Sequence, residues 1–338
     1  MTDASLIKIE DVGELNLYQL KRFWHTIQTN NQFIAHQDSH INRLLLSALG
    51  IGLHQGLFYL YSERPTFQQF ESWLKDNAVL LSDDLVQRFN HAIINAPLPK
   101  TTSEKLQLID EYPDVLDKED LEHWQKFGYV IVKNAVSLEG SAAAEQAIWQ
   151  HIQANPKEPS TWYDKNDSQI MIELIQHPAF EKNRQNIRVH KAFSQIWKTS
   201  DLWCSADRCS LNPPEKSGYY FQGPDLHWDM DLSRPEAFAT QGILYLTDTS
   251  KEQGALTLVP GFHHKLKDWL SNLKEGQDPQ QQDLHALGSK PIAANAGDLI
   301  IWHHALPHGS SPNKAKRPRI VQYINYYPLC IDNYNRMP

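Results

Sequence analysis

The chain has 338 residues, 41% of them hydrophobic and 21% charged, with a formal net charge of −8. This mix is typical of a globular protein, and the acidic balance argues against nucleic acid as the main partner, because nucleic-acid-binding domains usually carry a basic face. No run of about 18 apolar residues predicts a membrane span, and the stretch MTDASLIKIEDVGEL lacks the pattern of a secretory signal. We therefore expect a cytoplasmic protein, a monomer or a homodimer, that binds neither nucleic acid nor membrane.

The cysteines support a reducing compartment. There are three of them, Cys204, Cys209 and Cys330, and an odd count suits free thiols. Cys204 and Cys209 would lie on opposite faces of a strand, because they are separated by an odd number of positions. They are therefore poor partners for a disulfide.

The first hundred residues predict helices. Apolar residues recur there at helical spacing, Thr66 and Gln69 form a capping-box pattern, and we expect the longest segment to be interrupted near Gly50 to Gly52. The predicted helical segments are 15–28, 40–63, 63–77 and 82–95. The proline-containing, polar stretch 96–105 marks an expected boundary. We accordingly divide the chain into a helical region, residues 1–100, and a second domain, residues 101–338.

The second domain begins with helices and ends with strands. A helix ending at Gly128, a strand at Tyr129 to Lys133, and helices within 140–155, 169–180 and 183–197 are expected first. From about Asp201 the apolar period changes to two. The predicted strand segments are 202–212, 226–233, 241–249, 254–260, 297–303 and 319–327. Short strands without crossover helices between them indicate a sandwich or barrel, so the fold class is α+β.

One predicted strand, DLHWDMDLS, places three candidate metal ligands at alternate positions. His227, Asp229 and Asp231 would share one face, with Trp228 on the other. A solvated edge strand gives the same pattern, so His-x-Asp alone leaves the alternatives open. A site with two histidines and one carboxylate needs a second histidine, and the segment 296–328 offers His303, His304 and His308.

Several stretches together resemble the phytanoyl-CoA dioxygenase family of iron(II)- and 2-oxoglutarate-dependent oxygenases. They are LHWDMD, GALTLVPGFHH and LPHGSSPN followed by RPRIVQY. The family motif has His-x-Asp, then a histidine followed five residues later by asparagine and eleven residues later by arginine. In this chain those three positions are His308, Asn313 and Arg319. The resemblance covers roughly 120–327, while the helical region looks like an addition carried by a subset of bacterial members.

The resemblance implies a double-stranded β-helix, a jelly-roll or cupin-like core with flanking helices. It also implies that His227, Asp229 and His308 are the metal ligands and the catalytic centre, holding Fe(2+) with 2-oxoglutarate and O2 as co-substrates. The expected reaction hydroxylates an aliphatic C–H bond of a small-molecule substrate and releases succinate and CO2. Desaturation and ring closure stay open, whereas the carboxylate of Asp229 argues against halogenation.

The co-substrate pocket is expected around Arg319, whose guanidinium would form a fork with the far carboxylate of 2-oxoglutarate. Ser310 matches the family serine that helps to hold that carboxylate. Asn212 and Gln241, on neighbouring predicted strands, are further candidates. The competing hypothesis is a cupin-like metal-binding protein without oxygenase activity, a sensor or an isomerase, but such a site has no need of a dicarboxylate anchor.

Other polar residues have less specific interpretations. We expect Asp231 to be an outer residue that supports the site or pairs with a cation, and His303 and His304 to cap or pack. The segment NKAKRPR could bind the phosphates of coenzyme A, but a solvated loop is favoured. The helical region should pack on the β-roll, where it either forms a substrate-side wall or dimer surface or only covers the back of the sheet.

Overall fold

A computed structural model of the protein describes residues 7–163 and 170–329. The helices of this part are α1 Leu20–Gln28, α2 Gln32–Gln37, α3 Ser39–Ala48, α4 Leu53–Glu63, α5 Phe67–Asn77, α6 Asp83–Ile93, α7 Lys100–Glu111, α8 Lys118–Phe127, α9 Leu138–His151, α10 Pro178–Arg184, α11 Ile187–Trp197 and α12 Leu266–Ser271. The strands are β1 Tyr129–Val132, β2 Met171–Ile172, β3 Trp203–Cys204, β4 Cys209–Asn212, β5 Thr240–Tyr245, β6 Leu256–Leu258, β7 Lys290–Pro291, β8 Leu299–His303, β9 His308–Ser310, β10 Arg319–Tyr323 and β11 Tyr326–Tyr327.

The helical region follows its sequence pattern closely. The expected interruption is confirmed, because Gly50 has a φ of 74° and α3 ends before it. The capping box is confirmed too: the Gln69 amide donates to the Thr66 hydroxyl at 3.3 Å, and the Thr66 amide donates to the Gln69 side chain at 2.8 Å. Helix α2 was not predicted, and α7 begins inside the stretch expected to be a linker, so the division at residue 100 stays a prediction.

In residues 7–163 and 170–329, no single helix has the length and apolarity needed to cross a membrane. Helices α3 and α4 meet that test only when joined, and they are bent by 103° with respect to each other.

Two element predictions in the second domain are wrong. The segment 170–177 is not helical, because Met171 and Ile172 pair with β4, and the helix begins only at Pro178. Proline is favoured in the first turn of a helix, which explains why α10 starts there. The segment 226–233 is not a strand either: His227 makes an isolated bridge, and the Asp231 carboxylate accepts the Ser233 amide at 2.9 Å to close a turn. Aspartate and serine favour such turns.

Three antiparallel sheets build the β-roll. The large sheet has the order β1-β8-β5-β10-β4-β2, a second contains β7-β6-β9, and β11 pairs with β3. Alternate residues of the large sheet enter two different cores: Ile300 and Trp302 face the interior of the roll, while Leu299 and Ile301 face the helices. Both faces of the sheet are therefore buried, and the α+β jelly-roll prediction is confirmed.

The helical region packs on the roll, as expected. Its apolar residues belong to the same buried cluster as the helix-side residues of the large sheet. The Tyr327 hydroxyl donates to the Ser47 hydroxyl at 3.0 Å, and the Arg88 guanidinium lies 3.9 Å from the Trp203 ring centroid. The substrate-side wall and the simple cover both stay predictions.

The two cysteines in the described residues, Cys204 and Cys209, are free thiols, as predicted. Burial raises the pKa of each to about 12, so both remain protonated and unreactive. Cys330 lies outside the described residues.

Candidate active site

Two histidines face each other across a backbone bridge. His227 and His308 exchange backbone hydrogen bonds of 2.9 and 3.0 Å. This approach requires glycine at position 309, because a Cβ there would lie 2.5 Å from the Asp225 carbonyl oxygen. The bridge joins the loop after β4 to β9, so one edge of the small sheet positions both imidazoles.

The same orientation is imposed on both imidazoles by backbone carbonyls. Nδ1 of His227 lies 2.7 Å from the Asp225 oxygen, and Nδ1 of His308 lies 3.1 Å from the Leu306 oxygen. Since a carbonyl only accepts, each Nδ1 carries a hydrogen, and in the neutral ring each Nε2 presents a lone pair. This is the tautomer that a metal-binding histidine needs.

Asp229 completes the group. Its Oδ1 lies 3.4 Å from Nε2 of His227 and its Oδ2 lies 3.2 Å from Nε2 of His308, with all three ligand atoms within 4.8 Å of one another. The two imidazoles hold the pKa of the Asp229 carboxyl well below its usual range, and Asp229 raises the pKa of His227. An imidazole lone pair that faces a carboxylate is favourable only with a cation between them, which is either a proton on Nε2 or a metal ion. The donor set, two imidazoles and one carboxylate on one side, fits iron(II).

Gln241 contacts this group. Its Nε2 donates to Oδ2 of Asp229 at 2.7 Å, and its Oε1 accepts the indole N–H of Trp302 at 3.0 Å. Gln241 lies on β5 and Asn212 on β4, and β10 separates these strands, so they are not neighbours in the sheet. The expected place of Gln241 in the co-substrate pocket stays a prediction, and the structure shows its contact with the Asp229 carboxylate.

A buried cation lies on the interior face of β10. Arg319 is fully buried, its Nη2 donates to the Ser210 hydroxyl at 3.2 Å, and neither Nε nor Nη1 has a hydrogen-bond partner in the described residues. Asn212 lies opposite Arg319 in the strand register and, within the same residues, its Oδ1 is also unpartnered. Burying a guanidinium with free donors is costly, so these atoms fit a pocket that receives an anion such as the carboxylate of 2-oxoglutarate.

Ser210 was missed by sequence reasoning, which assigned the neighbouring hydroxyl to Ser310. Ser310 is buried on β9 two residues after His308, on the same strand face. The only sequence signal for Ser210 is the alternation in β4, where Cys209 and Leu211 face the helices and leave Ser210 on the interior side.

Asn313, the asparagine of the motif, stabilises the loop before Arg319. Its side-chain nitrogen donates to the Asn212 oxygen at 2.8 Å and to the Arg317 oxygen at 2.9 Å, and its oxygen accepts the Ala315 amide at 3.0 Å. The basic residues of this loop are exposed, while Arg319 beyond it is buried, as the solvated-loop interpretation of NKAKRPR expects.

The other histidines of the segment pack as expected. His303 is largely covered, its Nδ1 accepts the Ala305 amide at 3.0 Å, and burial holds its pKa well below the usual range. His304 bonds the Ala237 carbonyl. Neither belongs to the group of three ligands, nor does Asp231, whose carboxylate closes the turn described above.

Comparisons with known proteins agree with the motif. The phytanoyl-CoA dioxygenase (PhyH) family model matches residues 124–321. A Dictyostelium discoideum protein bearing the name phytanoyl-CoA dioxygenase is 25% identical over 265 residues, 63% of this chain and 76% of the relative. Ectoine dioxygenase of Bordetella bronchiseptica is 22% identical over 239 residues, 64% of this chain and 77% of the relative. The structure of EvdO2 from Micromonospora carbonacea var. aurantiaca complexed with 2-oxoglutarate is 18% identical, covers 64% of this chain and 92% of that chain, and has a TM-score of 0.42.

Proposed function

The chain belongs to the phytanoyl-CoA dioxygenase family, and from this premise we propose that it hydroxylates an aliphatic C–H bond of a small-molecule substrate. It is a 2-oxoglutarate-dependent non-haem iron dioxygenase that uses Fe(2+), 2-oxoglutarate and O2. The balanced reaction converts R–H, 2-oxoglutarate and O2 into R–OH, succinate and CO2. Iron, 2-oxoglutarate and O2 together supply the oxidising chemistry, and the protein supplies ligands, orientation and shielding.

His227, Asp229 and His308 would hold the iron. The carbonyls of Asp225 and Leu306 fix the two imidazoles with Nε2 toward the site. The Asp229 carboxylate contributes a negative charge that its low pKa preserves across the physiological range. The Asp229 side chain remains 55% exposed, which leaves the opposite side of the site open to ligands.

Arg319 would bind the far carboxylate of 2-oxoglutarate. The observation that carries this proposal is the fully buried guanidinium with Nε and Nη1 unpartnered in the described residues. Ser210 holds one edge of the guanidinium, and Ser310 and Asn212 line the same interior. A metal sensor or a cupin-like isomerase has no need for such a buried cation, so these atoms favour the oxygenase.

The carboxylate at position 229 favours hydroxylation, because a halogenase replaces it with a small residue to admit chloride. For the substrate we propose a small polar molecule and not a bulky coenzyme A ester, since the chain is net acidic and the basic loop 314–317 is solvated. The ectoine dioxygenase relative is named for a substrate of this kind. A cytoplasmic location, a monomer or homodimer, and a dioxygenase domain at residues 101–338 remain part of the proposal.

The test begins with the metal-free protein under anaerobic conditions. Iron(II) and 2-oxoglutarate added together should give a weak visible metal-to-ligand absorption band that neither gives alone. A panel of small polar metabolites is then screened for substrate-stimulated succinate release and for a product heavier by one oxygen atom. A protein that binds iron but shows neither the band nor 2-oxoglutarate consumption would be a sensor or an isomerase.

A further inference from the structure

We propose that Gln241 is a positioning residue that sets the orientation of the Asp229 carboxylate, with Trp302 fixing the direction of the Gln241 amide. The proposal rests on the iron site proposed above. Its basis is a chain of two hydrogen bonds: Trp302 Nε1 to Gln241 Oε1 at 3.0 Å, and Gln241 Nε2 to Asp229 Oδ2 at 2.7 Å.

The chemistry of the three groups leaves the amide one orientation. An indole N–H only donates, so it selects the oxygen of Gln241, and an ionised carboxylate only accepts, so it selects the nitrogen. Glutamine supplies one donor and one acceptor at the required ends. Glutamate at this position would set two carboxylates against each other, and methionine would offer neither bond.

Asp229 needs such an anchor because its own backbone is not held in a sheet. The isolated bridge ends at His227, and Asp229 lies in irregular chain before the turn at Asp231. Gln241 and Trp302 face each other in the register of β5 and β8, inside the most extensively paired part of the large sheet. Rigid strands thereby hold a carboxylate that the loop alone would leave free to rotate.

Trp302 connects this anchor to a second ligand. Its side chain is 2% exposed, and its ring centroid lies 5.2 Å from that of His308. The indole therefore packs beside one ligand while it orders the amide that holds another. A change at Trp302 should disturb the site through both contacts.

The bond to Gln241 also bears on how the carboxylate binds metal. The amide occupies one lone-pair site of Oδ2 and none of Oδ1, so the bond would favour coordination of the metal through Oδ1 alone. One-oxygen coordination leaves three positions of a six-coordinate metal for the keto acid and oxygen. Outer partners of metal ligands commonly contribute 10–100-fold in metal affinity.

Cobalt(II) is the probe, because its visible bands report the number and geometry of ligands without turnover. The metal-free wild-type protein, Gln241→Met and Trp302→Phe are titrated with cobalt(II) in the absence of 2-oxoglutarate. Gln241→Met should weaken cobalt binding by about 10–100-fold and change the visible spectrum of the saturated protein. Trp302→Phe should shift both readouts in the same direction by a smaller amount.

The matched control is Gln322→Met. Gln322 is a glutamine of the same sheet and is fully buried, whereas Gln241 is partly buried. It accepts from Asn183 at 3.0 Å and donates to the Phe180 carbonyl at 3.1 Å, on the helix side. Its loss should lower stability and leave cobalt affinity and spectrum unchanged. Wild-type affinity and spectrum in Gln241→Met would overturn the proposal. If that variant does not fold, an unchanged spectrum in Trp302→Phe overturns it instead.

A failure of the positioning role is distinguishable from a failure of the iron site. His308→Ala should abolish cobalt binding, since it removes a ligand. If His308→Ala still binds cobalt as the wild type does, the site itself is misassigned. If His308→Ala loses the metal while Gln241→Met keeps wild-type behaviour, only the role of Gln241 is wrong.

Discussion

Arg319 and Ser210 lie on adjacent strands, and the buried guanidinium donates from Nη2 to the serine hydroxyl at 3.2 Å. One hydrogen bond to a neutral hydroxyl does not offset the free-energy cost of burying a full positive charge. The free Nε and Nη1 atoms, unpartnered in the part of the chain that the structure describes, are the natural partners of a carboxylate. The geometry of this pair therefore fits the anion site proposed above, in which a carboxylate would bind the two remaining nitrogens.

Replacing Arg319 should impair 2-oxoglutarate binding specifically. A hydrogen bond to a charged group contributes about 1.5–3 kcal/mol, so Arg319→Ala should weaken the apparent 2-oxoglutarate affinity by about tenfold or more, with metal affinity nearly intact. The anaerobic titration of the metal-to-ligand band measures this. Arg317→Ala is the matched control, because Arg317 lies two residues earlier but is exposed. If the loss appears in Arg317→Ala and not in Arg319→Ala, the anchor is misassigned.

The two nearby histidines should behave oppositely toward metal. His308→Ala removes an Nε2 that points at Asp229 and should abolish iron(II) binding and turnover. His304→Ala removes a bond to the Ala237 carbonyl and should leave most metal binding in place, at some cost in stability. Metal content after anaerobic reconstitution and desalting gives the comparison. The reverse pattern would show that His304 is the ligand.

The motif residues could be predicted from sequence because their spacing is local. His308, Asn313 and Arg319 lie within one continuous segment, where the intervals reflect the lengths of β9, the loop after it and the start of β10. Gln241 and Ser210 are brought to the site by pairing between strands that are far apart in the sequence. The spacing of residues within one segment does not reveal the register of such a pairing. The strand predicted at Asp229 is wrong for a related reason. The alternation of polar residues indicated a strand, but the Asp231 side chain accepts a backbone hydrogen bond from Ser233 and stabilises a turn instead.

Stability should fall in mild acid because of buried histidines. His190 lies on α11, its Nε2 donates to the Ser200 carbonyl at 2.8 Å, and burial lowers its pKa to about 4. The unfolded chain binds a proton at this residue near pH 6.5 while the folded chain does not. Its contribution is therefore complete above that pH and is lost as the pH falls toward 4, by up to about 1.4 kcal/mol per pH unit. His303, with a pKa also lowered by burial, adds in the same direction.

Urea unfolding of the metal-free protein between about pH 7.5 and pH 5 measures this dependence. His190→Gln should flatten the decline relative to the wild type, and His151→Gln, at an exposed helix end, should leave it unchanged. His227 has the opposite sign, because Asp229 raises its pKa and its contribution is lost as the pH rises. The contribution of His227 is the same in all of these variants, so it cancels when their slopes are compared. Equal slopes in His190→Gln and the wild type would contradict the assignment.

The helical region should be required for the roll to fold, beyond any role as a wall. Leu44, Leu45 and Leu46 of α3 are fully buried in the cluster that contains Trp203 and Tyr327. Removing residues 1–100 exposes that apolar surface, and burial of each such side chain contributes about 1.5–3 kcal/mol. Residues 101–338 alone are therefore expected to aggregate or to unfold without cooperativity. Co-expression with residues 1–100 as a separate chain should restore a soluble complex that binds iron(II) and 2-oxoglutarate.

The restored complex also tests whether the helical region forms a substrate-side wall. Phe33→Ala changes a residue of α2 that is 76% exposed and should leave co-substrate binding intact. It should uncouple succinate release from substrate oxidation only if α2 faces the substrate. Full, coupled turnover by residues 101–338 without the helical region would refute both the shared core and the wall.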